Sequence, residues 1–146
     1  MNQCRFSFVE IANYSCMRGT LPPAAVFDML CRFIDALDAL AAHHGMERID
    51  AFDGCYMAAT NYSARHAFRL ARFALAALAA AAALPIDPQR PELGCIRLPA
   101  GMHSGAVCGR VVGAHGGQKH TLHGDVVNVG LNLGIPQPIS LNQPRC

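Results

Sequence analysis

The side chains best placed for chemistry lie between Lys119 and Asn132, in the segment KHTLHGDVVNVGLN. Gly124 and Asp125 precede an apolar turn that carries Asn128 and Asn132 four residues apart. In a helix, residues i and i+4 share a face, so both amides would point towards one ligand. Asp125 is suitably placed as the N-cap of that helix, whose first backbone N–H groups have no intrahelical partner. The pattern predicts a site for a polar ligand, and the alternative is a capped surface helix.

The composition indicates one globular domain with neither a nucleic-acid partner nor a membrane-inserted segment. The chain has 146 residues, of which 52% are hydrophobic and 15% charged, and this is enough to bury a core. The net charge is only +2, and Lys and Arg are scattered singly rather than in a basic run. The apolar stretch from Phe73 to Leu84 is shorter than the ~20 residues that span a bilayer.

The seven cysteines include no Cys-x-x-Cys pair. Cys31, Cys55, Cys95 and Cys108 stand among apolar neighbours in the sequence, where a free cysteine behaves as a small hydrophobic residue. The pattern favours a reduced, intracellular chain over a secreted disulfide scaffold.

The predicted elements alternate between strands and helices. Loosely alternating apolar residues predict a strand over 5–12. Pro22 and Pro23 are typical of the first turn of a helix, and Gly45 ends it. Asp53 and Gly54 form a hairpin turn signal between strands predicted over 46–52 and 55–60.

The second half of the chain completes the pattern. It contains a predicted helix over 63–84, then strands over 93–103, 107–112 and 119–123, and a short strand near 139–141. The order β-α-β-β-α-β with a further hairpin predicts an α+β fold of the ferredoxin-like, split βαβ type.

Five segments on these elements carry a family resemblance. They are residues 8–15 (FVEIANYS), 56–58 (YMA), 66–67 (HA) with the helix that follows, 101–105 (GMHSG) with 111–113 (VVG), and 124–128 (GDVVN). In this order they resemble the catalytic domain of class III nucleotidyl cyclases, the adenylate and guanylate cyclases. The resemblance covers most of the chain and implies a ferredoxin-like core that works as a dimer, with active sites between the two subunits.

The resemblance implies a two-metal site for Mg²⁺ or Mn²⁺, which would bind the triphosphate and activate the ribose 3′-hydroxyl. Glu10 matches the first metal-binding aspartate of the family. The second aspartate matches Gly54 in an ungapped alignment, and Asp53 stands one residue earlier. Asp53 is therefore a candidate metal ligand if the turn is shifted, and otherwise a turn-capping residue.

The remaining site residues follow from the same resemblance. Asp50 and Thr121 match the two base-selecting positions, and the carboxylate of Asp50 suits the N1–H and amino group of guanine, so GTP is slightly favoured over ATP. Asn128 matches the asparagine that orients the ribose. Asn132 stands where the family has the arginine that stabilises the transition state, and an amide supplies neither its charge nor its bidentate contact.

The expected function is cyclic nucleotide synthesis in intracellular signalling, by a domain that is weak or inactive on its own. Residues 1–146 are expected to form a single cyclase-like domain that lacks the family's last strands. The expected partners are GTP or ATP and a second cyclase domain, in a homodimer or a heterodimer. The expected location is the cytoplasm, with the domain alone or within a larger membrane-attached or sensor protein. The alternative function is that of a non-catalytic partner that regulates an active cyclase half.

Overall fold

The computed structural model describes residues 3–60, 66–106, 108–112 and 119–123 of the chain. The strands are β1 (Gln3–Glu10), β2 (Glu47–Phe52), β3 (Cys55–Thr60), β4 (Ala100–Ala106), β5 (Cys108–Val112) and β6 (Lys119–His123). The helices are α1 (Tyr14–Thr20), α2 (Pro23–His43) and α3 (His66–Ala82), with a short 3-10 helix at Pro91–Leu93.

The main sheet has four strands in the order β2-β3-β1-β4, and β1 pairs antiparallel with both β3 and β4. This is the strand order of the ferredoxin-like plan, so the predicted fold is confirmed. Strands β5 and β6 pair with each other in a separate two-stranded sheet. The predicted β6 has the bounds that the structure gives it.

The β2–β3 hairpin forms as its turn residues predict. Asp53 and Gly54 both have positive φ, at 49° and 80°, as a two-residue turn with the twist of a β-hairpin requires. Phe52 and Cys55 are then directly paired on either side of the turn. The hairpin is the element that carries Asp50 and Asp53.

Helices α2 and α3 cover one face of the sheet. Pro22 and Pro23 begin α2, and its buried residues recur every three or four positions, so that one stripe of the helix faces the sheet. The core between helices and sheet includes Val9, Phe33, Leu37, Tyr56 and Phe73, each exposed by 1% or less. The opposite face of the central strands is also covered, since Phe8 and Met57 are buried too.

Three differences from the sequence prediction have local causes. Helix α1 follows β1 directly, but it has only seven residues, too few for a periodic apolar pattern. The strand predicted from residue 93 begins at Ala100, because Gly94 has φ 74° and Pro99 lacks an N–H for a strand ladder. Helix α3 ends at Ala82 rather than at the predicted residue 84, because Pro85 disfavours helical backbone in the residue before it.

The cysteines also differ from expectation. Cys55 is buried, but Cys31 and Cys95 are exposed, because Cys31 lies on the outer side of α2, away from its buried stripe, and Cys95 lies between the 3-10 helix and β4. Cys16 is disulfide-bonded, so the prediction of a fully reduced chain is wrong at this residue. Within the described ranges, none of the helices is long and apolar enough to cross a membrane.

We expect Gly54→Ala to lower the free energy of unfolding by about 2 kcal/mol or more, because the new methyl meets both an unfavourable φ and a neighbour. A Cβ at this position would lie 2.6 Å from Cγ of Tyr14. Urea unfolding with two control variants measures the effect. Gly45→Ala has positive φ but only an ordinary contact, at 3.5 Å from Nη1 of Arg69, and should cost about 1 kcal/mol. Gly19→Ala, in α1 with open space, should be neutral or stabilising. Equal losses at Gly54 and Gly45 would contradict the steric part of the prediction.

We expect Tyr56→Phe to lower the free energy of unfolding by about 2 kcal/mol, because it removes a buried hydrogen bond to a charged group. The Tyr56 hydroxyl donates to Oδ1 of Asp38 at 2.7 Å, and burial, followed by this bond, raises the pKa of the Tyr56 phenol. Arg48→Gln is the matched control, since Arg48 binds the other oxygen of Asp38 in an exposed ion pair and should contribute ~1 kcal/mol or less. Thermal or urea unfolding measures both variants. A larger loss of unfolding free energy in Arg48→Gln than in Tyr56→Phe would refute the prediction.

Candidate active site

The strand register brings Glu10 and Asp50 to one face of the sheet. Glu10 is opposite Cys55 in the β1–β3 pair, and Asp50 is opposite Met57 in the β2–β3 pair. Residues 55 and 57 are two apart in β3, and alternate residues of a strand point to the same face. Glu10 and Asp50 therefore share the face that the helices do not cover.

A β-bulge in β2 determines the direction of Asp50. The register shifts between Arg48 and Asp50, so Ile49 is an extra residue in this strand. Arg48 is opposite Ala58 and binds Asp38 of α2, so it lies on the helix face. In a regular strand residues 48 and 50 would share a face. The bulge instead directs Asp50 to the opposite face, beside Glu10.

Asp53 lies in the hairpin turn and is held by an ion pair. Nη1 of Arg18, in α1, donates to Oδ1 of Asp53 at 2.7 Å, and both side chains are 59% exposed. The Cζ of Arg18 also lies 6.0 Å from the centroid of the Tyr14 ring, within the range of a cation–π contact. Asp53 thus has a specific cationic partner, which goes beyond the turn-capping role that the sequence offered as the alternative.

The end of β1 is tied to the same turn. The Ile11 N–H donates to the Gly54 carbonyl at 2.9 Å, and the buried Tyr14 ring packs against Gly54. The Ala12 N–H donates to the Arg97 carbonyl at 2.8 Å, which fixes this end of β1 from the other side. Backbone contacts therefore set the position of Glu10 relative to the turn.

Burial and neighbouring negative charges raise the pKa values of two groups in the site. Partial burial, and then the negative charge of Asp53, raise the pKa of Glu10. Burial, and then the charges of Glu10 and Asp50, raise the pKa of the Cys55 thiol to about 11. Cys55 is therefore protonated at neutral pH and lies between the two carboxylates as a neutral, inert group.

The carboxylates suit a hard cation. Glu10 and Asp53 present oxygen ligands, and the like charge that raises the pKa of Glu10 is relieved when a cation binds between them. Among the described residues no group of three His, Cys, Asp or Glu side chains could hold a metal ion. A metal bound here would complete its coordination with water or substrate oxygens, as Mg²⁺ commonly does.

Of the other predicted site residues, one lies in a described strand and two lie outside the described residues. Thr121 lies in β6, where its backbone is paired with Arg110. Asn128 and Asn132, with the helix predicted around them, lie outside the described residues. The sequence therefore predicted three acidic residues that the structure brings together, and its predictions for the two amides stand as predictions.

Two residues of the site were not singled out from sequence. Arg18 and Tyr14 belong to α1, and the contact of Arg18 with Asp53 joins positions 35 residues apart. Asn13 was the available signal for the turn from β1 into α1. It adopts a left-handed backbone, at φ 58°, which asparagine tolerates better than most residues.

Comparison with known proteins agrees with the fold. Residues 1–133 match the sequence model of the adenylate and guanylate cyclase catalytic domain. Retinal guanylyl cyclase 1 of Homo sapiens is 26% identical over 147 aligned positions, which cover 96% of this chain. Atrial natriuretic peptide receptor 2 of Homo sapiens is 30% identical over 130 positions, which cover 86% of this chain. The chain spans 13% and 12% of the length of these two relatives.

Solved structures show the same fold. The guanylate cyclase domain of RhGC from Catenaria anguillulae, in complex with GTP, superposes with a TM-score of 0.80 and 20% identity over 91% of this chain and 72% of that one. The non-canonical dimeric guanylyl cyclase domain of RhoGC from Blastocladiella emersonii gives 0.79 and 20%, over 92% and 74%. A bacterial light-regulated adenylyl cyclase gives 0.77 and 21%, over 91% and 39%. With the match over residues 1–133, these findings show that the chain belongs to the family of adenylate and guanylate cyclase catalytic domains.

Proposed function

We propose that this domain binds GTP with divalent metal ions and converts it slowly to the cyclic nucleotide. One observation carries the proposal: Glu10 and Asp50 share the sheet face that the helices do not cover, and Asp53 lies in the hairpin turn next to that end of the sheet. A pair of acidic groups that crowd each other beside a third is the arrangement expected of a cation and nucleotide site.

Asp50 supports guanine as the base. Its carboxylate accepts hydrogen bonds, and guanine offers two donors on one edge, the N1–H and the amino group. The Ala51 N–H donates to Oδ1 of Asp50 at 2.9 Å, which helps to orient the carboxylate. Thr121 is proposed as the second base-binding residue, from the position it matches in the family. ATP is the weaker substrate under this proposal.

Glu10 and Asp53 would hold Mg²⁺ or Mn²⁺, and a bound metal ion would neutralise triphosphate charge and favour loss of the proton from the ribose hydroxyl. Before Asp53 can bind a cation, Arg18 has to release it. The ion pair is exposed and so contributes about 1 kcal/mol or less, which a divalent ion with a triphosphate readily exceeds. The released Arg18 remains nearby as a positive charge for the triphosphate.

The two asparagines account for a low rate. Asn128 is proposed to orient the ribose by hydrogen bonding. Asn132 cannot supply the positive charge of the arginine that it replaces, and the loss of such an arginine costs ~10³–10⁵ in rate in other phosphoryl-transfer enzymes. The domain therefore retains substrate binding more fully than it retains catalysis.

A dimer is proposed as the working form, with the active site between two cyclase domains. Phe52, at the end of β2 beside the turn, is 46% exposed, although it is a large apolar side chain. An apolar residue at the edge of the site suits contact with a second subunit. A cytoplasmic location is proposed, because GTP is available there.

The alternative function, a non-catalytic partner for an active cyclase half, is favoured by the same turn. The Tyr14 ring occupies the space that a side chain at position 54 would need, so the second metal-binding aspartate cannot be restored there without repacking. The Arg18–Asp53 ion pair also neutralises one acid of the site in the absence of metal. A domain in this state could complete a dimer without turning over nucleotide itself.

We expect the purified chain with Mn²⁺ and GTP to form cyclic GMP at a low rate, and Asn132→Arg to raise that rate by ~10²-fold or more. The product is measured by chromatography. Glu10→Gln should abolish turnover because it removes a metal ligand, and Glu47→Gln, in β2 and exposed, should leave it unchanged. Asp50→Asn should remove the preference for GTP over ATP.

No turnover by the wild type or by Asn132→Arg would exclude catalysis by the chain alone. The partner function would then predict a different result in a mixture: the wild-type chain should raise the turnover of an active cyclase domain, and Phe52→Glu should not. No effect of the wild-type chain in that assay would exclude the partner function as well.

We expect Glu10→Gln to stabilise the metal-free domain at pH 7, with a rise in Tm of about 1–2 °C. Because the folded pKa of Glu10 is raised above 4.5, the folded state binds its proton more tightly than the unfolded state. The wild type therefore loses stability as the pH rises from 4.5 through the folded pKa of Glu10, and the glutamine variant does not. Thermal unfolding in EDTA from pH 4 to 8 measures this, with Glu47→Gln as the control.

Added Mn²⁺ should reverse the order of the two Tm values. It should stabilise the wild type, whose two acids bind it, and leave Glu10→Gln unchanged. Equal stabilisation of both proteins would show that Glu10 is not a metal ligand.

A further inference from the structure

A second site lies where the end of α2 meets the start of α3. An open pocket of about 640 Å³ is formed there, within the range of small-molecule sites. The side chains and backbone that line it include His43, His44, Gly45, Phe68, Arg69 and Arg72. It contains none of the acidic residues of the candidate active site.

The pocket is far from that site. It lies beside Gly45, just before β2 begins at Glu47, whereas Asp53 follows the other end of the strand. Six residues of strand separate these ends by about 17 Å. A ligand in the pocket would therefore not contact Glu10, Asp50 or Asp53.

The pocket concentrates positive charge. Four arginines elsewhere each form an ion pair with an aspartate: Arg18, Arg32, Arg48 and Arg90. Among the side chains that the structure describes, neither Arg69 nor Arg72 forms such a pair. The described residues that line the pocket include no acidic side chain, and two histidines stand beside the arginines. The lining therefore suits an anion.

The histidines lie within this positive field. The rings of His43 and His44 are 5.1 Å apart, and the His44 ring packs edge-on against the buried Phe73, with centroids 6.3 Å apart. Burial, and then the proximity of His43 and Arg72, lower the pKa of His44. At neutral pH His44 is thus a neutral hydrogen-bonding group next to fixed charges.

Phe68 adds an aromatic surface. Its side chain is 68% exposed at the edge of the pocket, and Cζ of Arg72 lies 5.7 Å from the centroid of its ring. Nη1 of Arg69 lies on the other side, close to Gly45, where an added Cβ would approach it to 3.5 Å. An exposed ring beside two guanidinium groups that have no acidic partner among the described residues presents stacking and phosphate contacts within one pocket.

We infer that this pocket binds a nucleoside phosphate, with the phosphate on Arg69 and Arg72 and the base stacked on Phe68. Arginine suits phosphate because its planar group forms paired, charge-assisted hydrogen bonds. A polynucleotide is disfavoured because the net charge of the chain is only +2 and its basic residues form no run. The site does not depend on the proposed catalytic function.

The test is titration of the full chain with guanosine 5′-monophosphate, followed by amide shifts in ¹H–¹⁵N NMR spectra and by calorimetry. We expect shifts at Gly45, Arg69 and Arg72 and at their neighbours. Arg69→Gln with Arg72→Gln should weaken binding at least tenfold, because two charged contacts are lost. The charge-preserving double variant to lysine should retain most of the affinity. The double variant Arg90→Gln with Arg97→Gln, which removes an equal charge outside the pocket lining, should bind like the wild type.

Two further ligands separate the parts of the inference. Inorganic phosphate should bind more weakly than the nucleotide. Phe68→Ala should leave phosphate binding unchanged, but it should weaken nucleotide binding several-fold. Equal affinity for phosphate and nucleotide would overturn the aromatic contact. Nucleotide binding that survives loss of both arginines, or no shifts at the pocket, would overturn the site. Asp50→Asn should leave the amide shifts at the pocket intact. A failure of nucleotide binding at this pocket is therefore distinguishable from a failure of the proposed catalytic function.

Discussion

The contact of the Tyr14 ring with Gly54 is the constraint on which the acidic site depends. The ring fills the space that a Cβ would occupy at position 54, and the Gly54 carbonyl accepts a hydrogen bond from Ile11. The end of β1 and the β2–β3 turn are therefore held together directly. A glycine is required at the second turn position, so a carboxylate in this two-residue turn can stand only at Asp53. Glu10, one residue before Ile11, is fixed beside it.

This arrangement keeps an unfavourable electrostatic interaction within the fold. The raised pKa of Glu10 means that its ionised form costs free energy in the folded state, first through partial burial and then through the charge of Asp53, and packing of the surrounding residues has to offset that cost. Crowded carboxylates are a general property of sites that bind cations. Arg18 relieves part of the repulsion from outside, through a solvent-exposed ion pair that is weak enough to exchange for a metal ion.

The sequence predicted what local chemistry controls. The turn at Asp53 and Gly54, the helix start at Pro23 and the strand order follow from backbone preferences and apolar periodicity, and the structure confirms them. It could not predict the bulge at Ile49, because no residue type requires a bulge there. Nor could it predict the Arg18–Asp53 pair, since only the folded chain brings these positions together. The predictions for Asn128 and Asn132 rest on the family resemblance alone.

The bulge links the choice of base to the opposite face of the sheet. Arg48 binds Asp38 of α2, and the buried Tyr56 hydroxyl binds the same carboxylate, so the residues before the bulge are anchored to the helix layer. Asp50 then takes the other face because one extra residue intervenes. A regular β2 anchored in the same way would turn Asp50 into the core against α2, where an unpaired carboxylate is costly. The network on the helix face thus fixes the direction of the proposed guanine-binding group, although none of its residues lies in the active site.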